Sequence, residues 1–326
     1  MRLLLITTGL FLTALTSTAQ TGVPVYVSPQ FKEVLSIQGP IDEPFIEIGD
    51  VAVDKRGAIY VTDGYGLKVR RFSPDGTTTG EFGGRGSGKS EFQSGPYRID
   101  CLNDTLAVVD AGSSEVRFFT KRFTFARSIQ TTGPVLDVAF TCSGDIWIAA
   151  ATLSGKRSEP VRRYGKSGQV LSEVGVESSE DGSAFTMVSL AADKQGHLVV
   201  LYRYRNKIEV YDSMGRNVSK TKVEGLPERA GRSFQVSGDM GAIPEGEIFR
   251  DVSIGADAKV YVLGGMYSSH PNRDVYVLDI HGNLLTELTL PAETGLLYID
   301  GKGFFYTRES KRTVLKKYAV TGIGKR

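Results

Sequence analysis

Three aspartates stand immediately ahead of apolar, β-prone runs: Asp50 before Val51-Ala52-Val53, Asp137 before Val138-Ala139-Phe140, and Asp251 before Val252-Ser253-Ile254. Carboxylates converging on one rim would hold a hard cation such as Ca²⁺ through oxygen ligands, and that ion would supply hydrolase, lactonase or lyase chemistry. The structural alternative is that an Asp at this point satisfies nearby backbone N–H groups. A second set is basic and aromatic: Tyr97, Arg98, Tyr202, Arg203, Tyr204, Arg205, Arg250, Tyr267 and Arg273. Arginine forks beside tyrosine rings suit a carboxylate, a sugar acid or a peptide, although solvated loop ends share that composition.

Other motifs carry less. Gly83-Gly84-Arg85-Gly86-Ser87-Gly88-Lys89-Ser90 fits the phosphate-loop pattern, and a strand-like run precedes it. A phosphate loop needs a helix starting at its Lys and Ser, yet Gly95-Pro96 follows too soon for one. The three histidines, His197, His270 and His281, fall in different kinds of segment and do not read as a shared metal set. No Ser, His and Asp arrangement with nucleophile-elbow spacing occurs, so the balance leans away from an enzyme.

These side chains must be positioned by a repeat. One unit recurs along the chain: apolar strand, Asp-x-x-Gly turn, apolar strand, loop, strand ending in an aromatic, tight turn, strand. The first copy is complete, with Val51 to Val53, the turn Asp54 to Gly57, Ile59 to Asp63, Lys68 to Phe72, the turn Ser73 to Gly76, and Thr78 to Phe82. The second strand then recurs at Leu106 to Asp110, Ile146 to Ile148, Leu198 to Val200, Val260 to Val262 and Phe305 to Thr307, about 49 residues apart on average. Six units are expected at approximately 49-82, 96-130, 134-175, 185-225, 249-291 and 294-320. The last has only three strands, and the unpartnered run at 31-38 is expected to complete it, removing two exposed sheet edges. The expected fold is all-β, a single six-bladed β-propeller of four-stranded antiparallel blades.

The stretch from Asp50 to Asp63, then Lys68 to Phe72, then Phe82-Gly83-Gly84 through Gly88 and Phe92 to Pro96, resembles an NHL repeat. The resemblance covers residues 49-100 as a specific motif and about 45-320 as architecture. It implies a propeller of the exported bacterial type and no particular reaction. Propeller lyases of the peptide-amidating kind need several His ligands, and gluconolactonase-like propellers need Asn and Glu beside Asp; neither set is found.

In such a ring the turns after the first and third strands lie on one face, and the other face carries the long connections: Gly83 to Gly95, Ala150 to Pro160, Gly175 to Ala184, Gly225 to Glu247 and Gly264 to Asp274. Binding residues concentrate on long loops held by a rigid scaffold, so a site is expected on the loop face, at the channel mouth. Inner-strand alignment places Asp50, Asp137 and Asp251 in the first, third and fifth units, with Tyr97, Ser189 and Leu296 in the other three.

Composition limits the partners. With 39 Lys and Arg against 37 Asp and Glu in 326 residues, the field is too weak to argue for nucleic acid or an anionic membrane. Residues 1-19, with Arg2, the apolar run Leu3 to Leu15 and Ser17-Thr18-Ala19, read as a secretory signal cleaved before Gln20, too short to span a bilayer. The mature part, 20-326, is expected in the periplasm or outside the cell, as a monomer that binds a peptide, glycan or small anionic ligand. In that compartment Cys101 and Cys142, aligned to matching turns of neighbouring blades, are candidates for a disulfide.

Overall fold

The computed structural model describes residues 29–151, 160–179, 182–233, 242–267, 272–309 and 311–322, so the expected signal segment and His270 lie outside the described residues. The chain opens with β1 (Gln30–Ile37) and then lays down one antiparallel sheet after another. Blade 1 is β2 (Ile48–Val53), β3 (Ile59–Asp63), β4 (Lys68–Phe72) and β5 (Thr78–Gly83); blade 2 is β6 (Pro96–Leu102), β7 (Thr105–Asp110), β8 (Glu115–Thr120) and β9 (Phe125–Gln130). Blade 3 comprises β10 (Val135–Phe140), β11 (Ile146–Ala150), β12 (Val161–Tyr164) and β13 (Val170–Val174); blade 4 comprises β14 (Val188–Ala192), β15 (Leu198–Tyr202), β16 (Ile208–Tyr211) and β17 (Asn217–Thr221). A small hairpin, β18 (Gly231–Ser233) with β19 (Ile243–Glu245), precedes blade 5, which is β20 (Phe249–Ile254), β21 (Val260–Gly264), β22 (Asp274–Leu278) and β23 (Leu284–Thr289). Blade 6 is β24 (Tyr298–Ile299), β25 (Phe305–Arg308) and β26 (Leu315–Thr321), with β1 as its outermost strand.

This is a six-bladed propeller closed by its N-terminal strand. The closure follows from packing as well as pairing: β1 runs antiparallel to β26 from Gln30↔Thr321 to Ile37↔Leu315, and the Phe31 ring meets Phe305 and Tyr318 edge-on. Every blade buries both faces of its central strands, so six apolar clusters form, one in each gap between neighbouring blades. Between blades 3 and 4 the gap is filled by Trp147, Val161, Val188, Leu198 and Tyr202; between blades 6 and 1 it is filled by Phe45, Ile59, Phe72, Leu296 and Tyr306.

Polar latches fix the loop face. In blade 1 the buried Asp63 at the end of β3 accepts the N–H groups of Ile46 (3.2 Å), Glu47 (3.0 Å) and Gly66 (3.1 Å), with the Arg70 guanidinium at 3.5 Å. Blade 2 repeats the device seven positions apart, where Asp110 accepts from Gln93, Ser94 and Gly95 and faces Arg117 at 3.3 Å. Only glycine fits at 95, where φ is +114° and an added Cβ would stand 1.9 Å from the Gly64 carbonyl oxygen.

Candidate functional site

Each inner strand, β2, β6, β10, β14, β20 and β24, has a neighbour on one side only, so part of its backbone faces the channel unpaired. A carboxylate can accept two N–H groups at once, and here it does so across blades. Asp50 takes the N–H of Val51 (2.8 Å) in its own strand and of Ile99 (3.0 Å) in the next blade. Asp137 takes Val138 and Leu190, both at 2.9 Å, and Asp251 takes Val252 (3.0 Å) and Leu297 (2.9 Å). Three carboxylates thereby satisfy one N–H in each of five inner strands and that of Leu297 just ahead of the sixth, which is why they recur in alternate blades. One layer nearer the turns, Asp100 takes Cys101 and Phe140 (both 2.7 Å), Ser253 Oγ takes Ile299 (2.9 Å), and the Tyr298 hydroxyl takes Val53 (3.3 Å).

The first layer needs a correction to the sequence alignment. A β-bulge interrupts β2, β6, β10 and β20 beside this layer, and in β6 it falls between Pro96 and Arg98. The first pair after the bulge is Arg98↔Val109 in blade 2, Asp137↔Ala149 in blade 3 and Asp251↔Leu263 in blade 5, so Arg98 rather than Tyr97 is the counterpart of the aspartates. Its Nε lies 3.4 Å from Asp137 Oδ1 and 3.4 Å from the Leu136 carbonyl oxygen. Burial opposes the Arg98 charge, but Asp137, Asp50 and Asp251 outweigh burial and raise its pKa above the usual value. Burial pushes Asp50 and Asp100 up to about 7, and it also raises Asp137.

In this structure Asp50, Asp137 and Asp251 serve the backbone. Their oxygens already accept backbone N–H groups, Arg98 supplies the positive charge, and among the described residues no three His, Cys, Asp or Glu side chains form a group that could hold a metal ion. His197 instead pairs with Asp193 at 2.7 Å, and the His281 N–H donates to Asp279. The disulfide reading is likewise corrected. Cys101 lies within β6, opposite Leu106, whereas Cys142 is exposed in the turn after β10; both are free thiols, and burial pushes the Cys101 thiol up. At the Gly83 to Ser90 motif no helix begins, and the Gly88 N–H donates to Glu91.

The channel holds a cavity of about 540 Å³ that runs from the layer of Asp50, Arg98 and Asp251 to a rim carrying Lys55, Lys194 and Lys302. That rim is built from the turns after the inner strands, so this cavity opens on the turn face and not on the loop face where the sequence reading put the channel site.

On the loop face the structure separates the basic and aromatic set. Tyr97 and Tyr202 are scaffold: the Tyr97 hydroxyl donates to the Val135 carbonyl, and the buried Tyr202 hydroxyl donates to Glu209 (2.9 Å) while accepting the Glu177 N–H (3.0 Å). Arg205 donates to the Ser178 carbonyl at 2.8 Å, Tyr267 packs against the core between blades 4 and 5, and Arg273 Nε is buried without a hydrogen-bond partner among the described residues. Arg203 and Arg250 do come together, gripping Glu247 from two sides, with Arg250 Nη1 at 2.8 Å and the Tyr204 hydroxyl at 3.4 Å.

Sequence reading missed Arg308. It ends β25 where blades 1 and 2 end in Asp63 and Asp110, and that substitution of cation for anion was the available signal. Buried between blades 6 and 1, it donates to the carbonyls of Ile48, Gly49 (3.0 Å) and Gly295 (3.5 Å). Burial, with Arg250 and Arg312 nearby, lowers its pKa to about 10. A pocket of about 300 Å³ lies beside it, lined by Glu247, Arg250, Met266, Arg308 and Arg312 among others.

No protein-family model matches the chain, and no curated protein matches it. Solved structures do. The WD40 repeats of RRP9 superpose with a TM-score of 0.57 at 10% identity, covering 90% of this chain and 100% of that one. U3-55K gives a TM-score of 0.55 at 11% identity, covering 89% and 98%. At such identities the likeness is one of fold: the chain shares the β-propeller architecture of WD40 repeats.

Proposed function

We propose that the protein is an exported interaction module whose loop face binds a peptide, glycan or small anionic ligand around Arg203 and Arg250. The observation that carries this reading is the convergence of Arg203 and Arg250 on Glu247 with Arg308 close behind, a set of guanidinium forks held rigidly by three blades. Propellers of the WD40 kind commonly serve as protein-interaction scaffolds, which favours binding over turnover. Export rests on the Met1 to Ala19 pattern and predicts a secreted chain beginning at Gln20.

The test is retention of a panel of acidic, neutral and basic peptides and of acidic and neutral envelope glycans on immobilised protein, compared with the double variant Arg203→Glu, Arg250→Glu. Acidic members held by the wild type and released by the variant are the expected result. Equal retention by both proteins, or no retention of any member, sinks the proposal.

A further inference from the structure

The channel layer nearer the turns is incomplete on one side. Four of its inward N–H groups have side-chain acceptors: Cys101 and Phe140 donate to Asp100, Ile299 donates to Ser253, and Val53 donates to the Tyr298 hydroxyl. Alternation along a strand turns two more N–H groups inward at this level, those of Ala192 at the end of β14 and Ile254 at the end of β20. Leu190 and Val252, two residues earlier, donate inward to Asp137 and Asp251, and the strand register is unbroken from there to the turns. Neither Ala192 nor Ile254 finds an acceptor for this N–H among the described residues.

The gap has a cause in the sequence. Asp50, Asp100, Asp137 and Asp251 each join an N–H of their own strand to one in the next blade, so that spacing is one that two carboxylate oxygens span. The residue placed to do this for Ala192 and Ile254 is Ala191, whose methyl group accepts nothing. Ala191, Ala192 and Ile254 all line the channel cavity of about 540 Å³, a size that holds small-molecule ligands. Two N–H groups directed into such a space, without acceptors of their own, favour a ligand that brings two oxygens.

The lining carries both signs of charge, so the backbone and not net charge selects the ligand. Its acids are occupied: beyond those that bridge blades, Asp54 is held by Lys121, Asp193 by His197 at 2.7 Å, and Asp300 accepts the N–H groups of Lys302 and Phe304. The lysines at the opening, Lys55, Lys194 and Lys302, are exposed and form no ion pair among the described residues.

We propose that the channel cavity is a second binding site, entered from the turn face, for a small organic carboxylate whose oxygens take the Ala192 and Ile254 N–H groups where Ala191 leaves the ring without an acceptor. The site lies on the face opposite Arg203 and Arg250 and does not depend on the loop-face reading. A second acidic group on the same ligand would meet the lysines of the opening.

The experiment is titration of the full ¹⁵N-labelled chain with mono- and dicarboxylates of two to six carbons and with their neutral amides, reading backbone amide shifts. Saturable movement of the Ala192 and Ile254 amides with an acid, and none with its amide, is the expected result. The Val53, Cys101 and Phe140 amides, whose acceptors are in place, should move less. Ala191→Asp supplies the missing acceptor, so it should melt at or above the wild-type temperature and bind the acid about tenfold or more weakly. The double variant Arg203→Glu, Arg250→Glu should bind it as the wild type does. Amides of Ala192 and Ile254 that stay still with every acid, shifts confined to the turns carrying the three lysines, or undiminished binding by folded Ala191→Asp would each overturn the proposal. Binding lost only in the double variant would also overturn it, while keeping the loop-face reading.

Discussion

At the scale of single residues, the inner carboxylates are structural keystones. Removing Asp137 leaves two inward N–H groups, of Val138 and Leu190, without their acceptor and removes a partner of the buried Arg98. Asp137→Ala is expected to destabilise the fold by about 3 kcal/mol in denaturant titration. A cost well below about 1 kcal/mol would show that the N–H groups find other acceptors. Because these oxygens serve the backbone, adding or chelating Ca²⁺ should leave the melting temperature unchanged; a rise of several degrees with Ca²⁺ would return the aspartates to the role of ligands. The pH response has a definite sign. Burial raises Asp50 and Asp100 to about 7, so the folded chain holds these protons more tightly than the unfolded chain, whose aspartates titrate near about 4. That contribution is complete below the unfolded value and is lost as pH rises through about 7. Between pH about 5 and about 8 the wild type should lose more melting temperature than Asp100→Asn, and equal losses would argue against the assignment. For the cysteines, both should react with a thiol reagent without reductant, and in the folded protein the exposed Cys142 should react faster than the half-buried Cys101.

Elements extend the same logic. An inner strand flanked on one side only is an edge, and the ring protects it with side-chain acceptors from the preceding blade instead of another strand. The outer edge of blade 6 is handled differently, by β1, whose Phe31 fills the space against Phe305 and Tyr318. Phe31→Ala is expected to cost about 3 kcal/mol, and a chain lacking Gln30 to Ile37 should expose the β26 edge and aggregate. A truncated chain that stays soluble and melts at the wild-type temperature would mean that the sixth blade does not need this strand. The Asp63–Arg70 and Asp110–Arg117 latches occur at the same seven-residue offset in the two most regular blades, and they connect the second and third strands to the loops leading between blades.

For the whole molecule, closure couples the blades, since each gap holds an apolar cluster shared by two of them and the last gap joins residues near both ends of the chain. The two faces differ in consequence. Tight turns surround a wide cavity on one, while the other collects long connections and the cluster of Arg250, Arg308 and Arg312.

The repeat was legible in the sequence because strand alternation, Asp-x-x-Gly turns and an unpartnered N-terminal run are local patterns, and each of them forces a pairing. Blade number and closure follow from them without any knowledge of neighbours. The presence of Asp50, Asp137 and Asp251 in alternate units was equally visible, but its meaning was not: whether a carboxylate accepts two N–H groups or coordinates a cation depends on what the next blade presents, and that is fixed only when the ring closes. That Arg98 and not Tyr97 stands with the aspartates leaves no trace in composition, because it is set by which residue of the second strand each one pairs with. Tertiary structure alone decided that Arg98 sits among the aspartates, that Cys101 is in a strand while Cys142 is in a turn, and that Arg308, nearly 260 residues from the Ile48 and Gly49 carbonyls it binds, helps to form a pocket. Electrostatic partners are set by distance in space, and sequence order carries almost none of that distance once a chain bends into a ring.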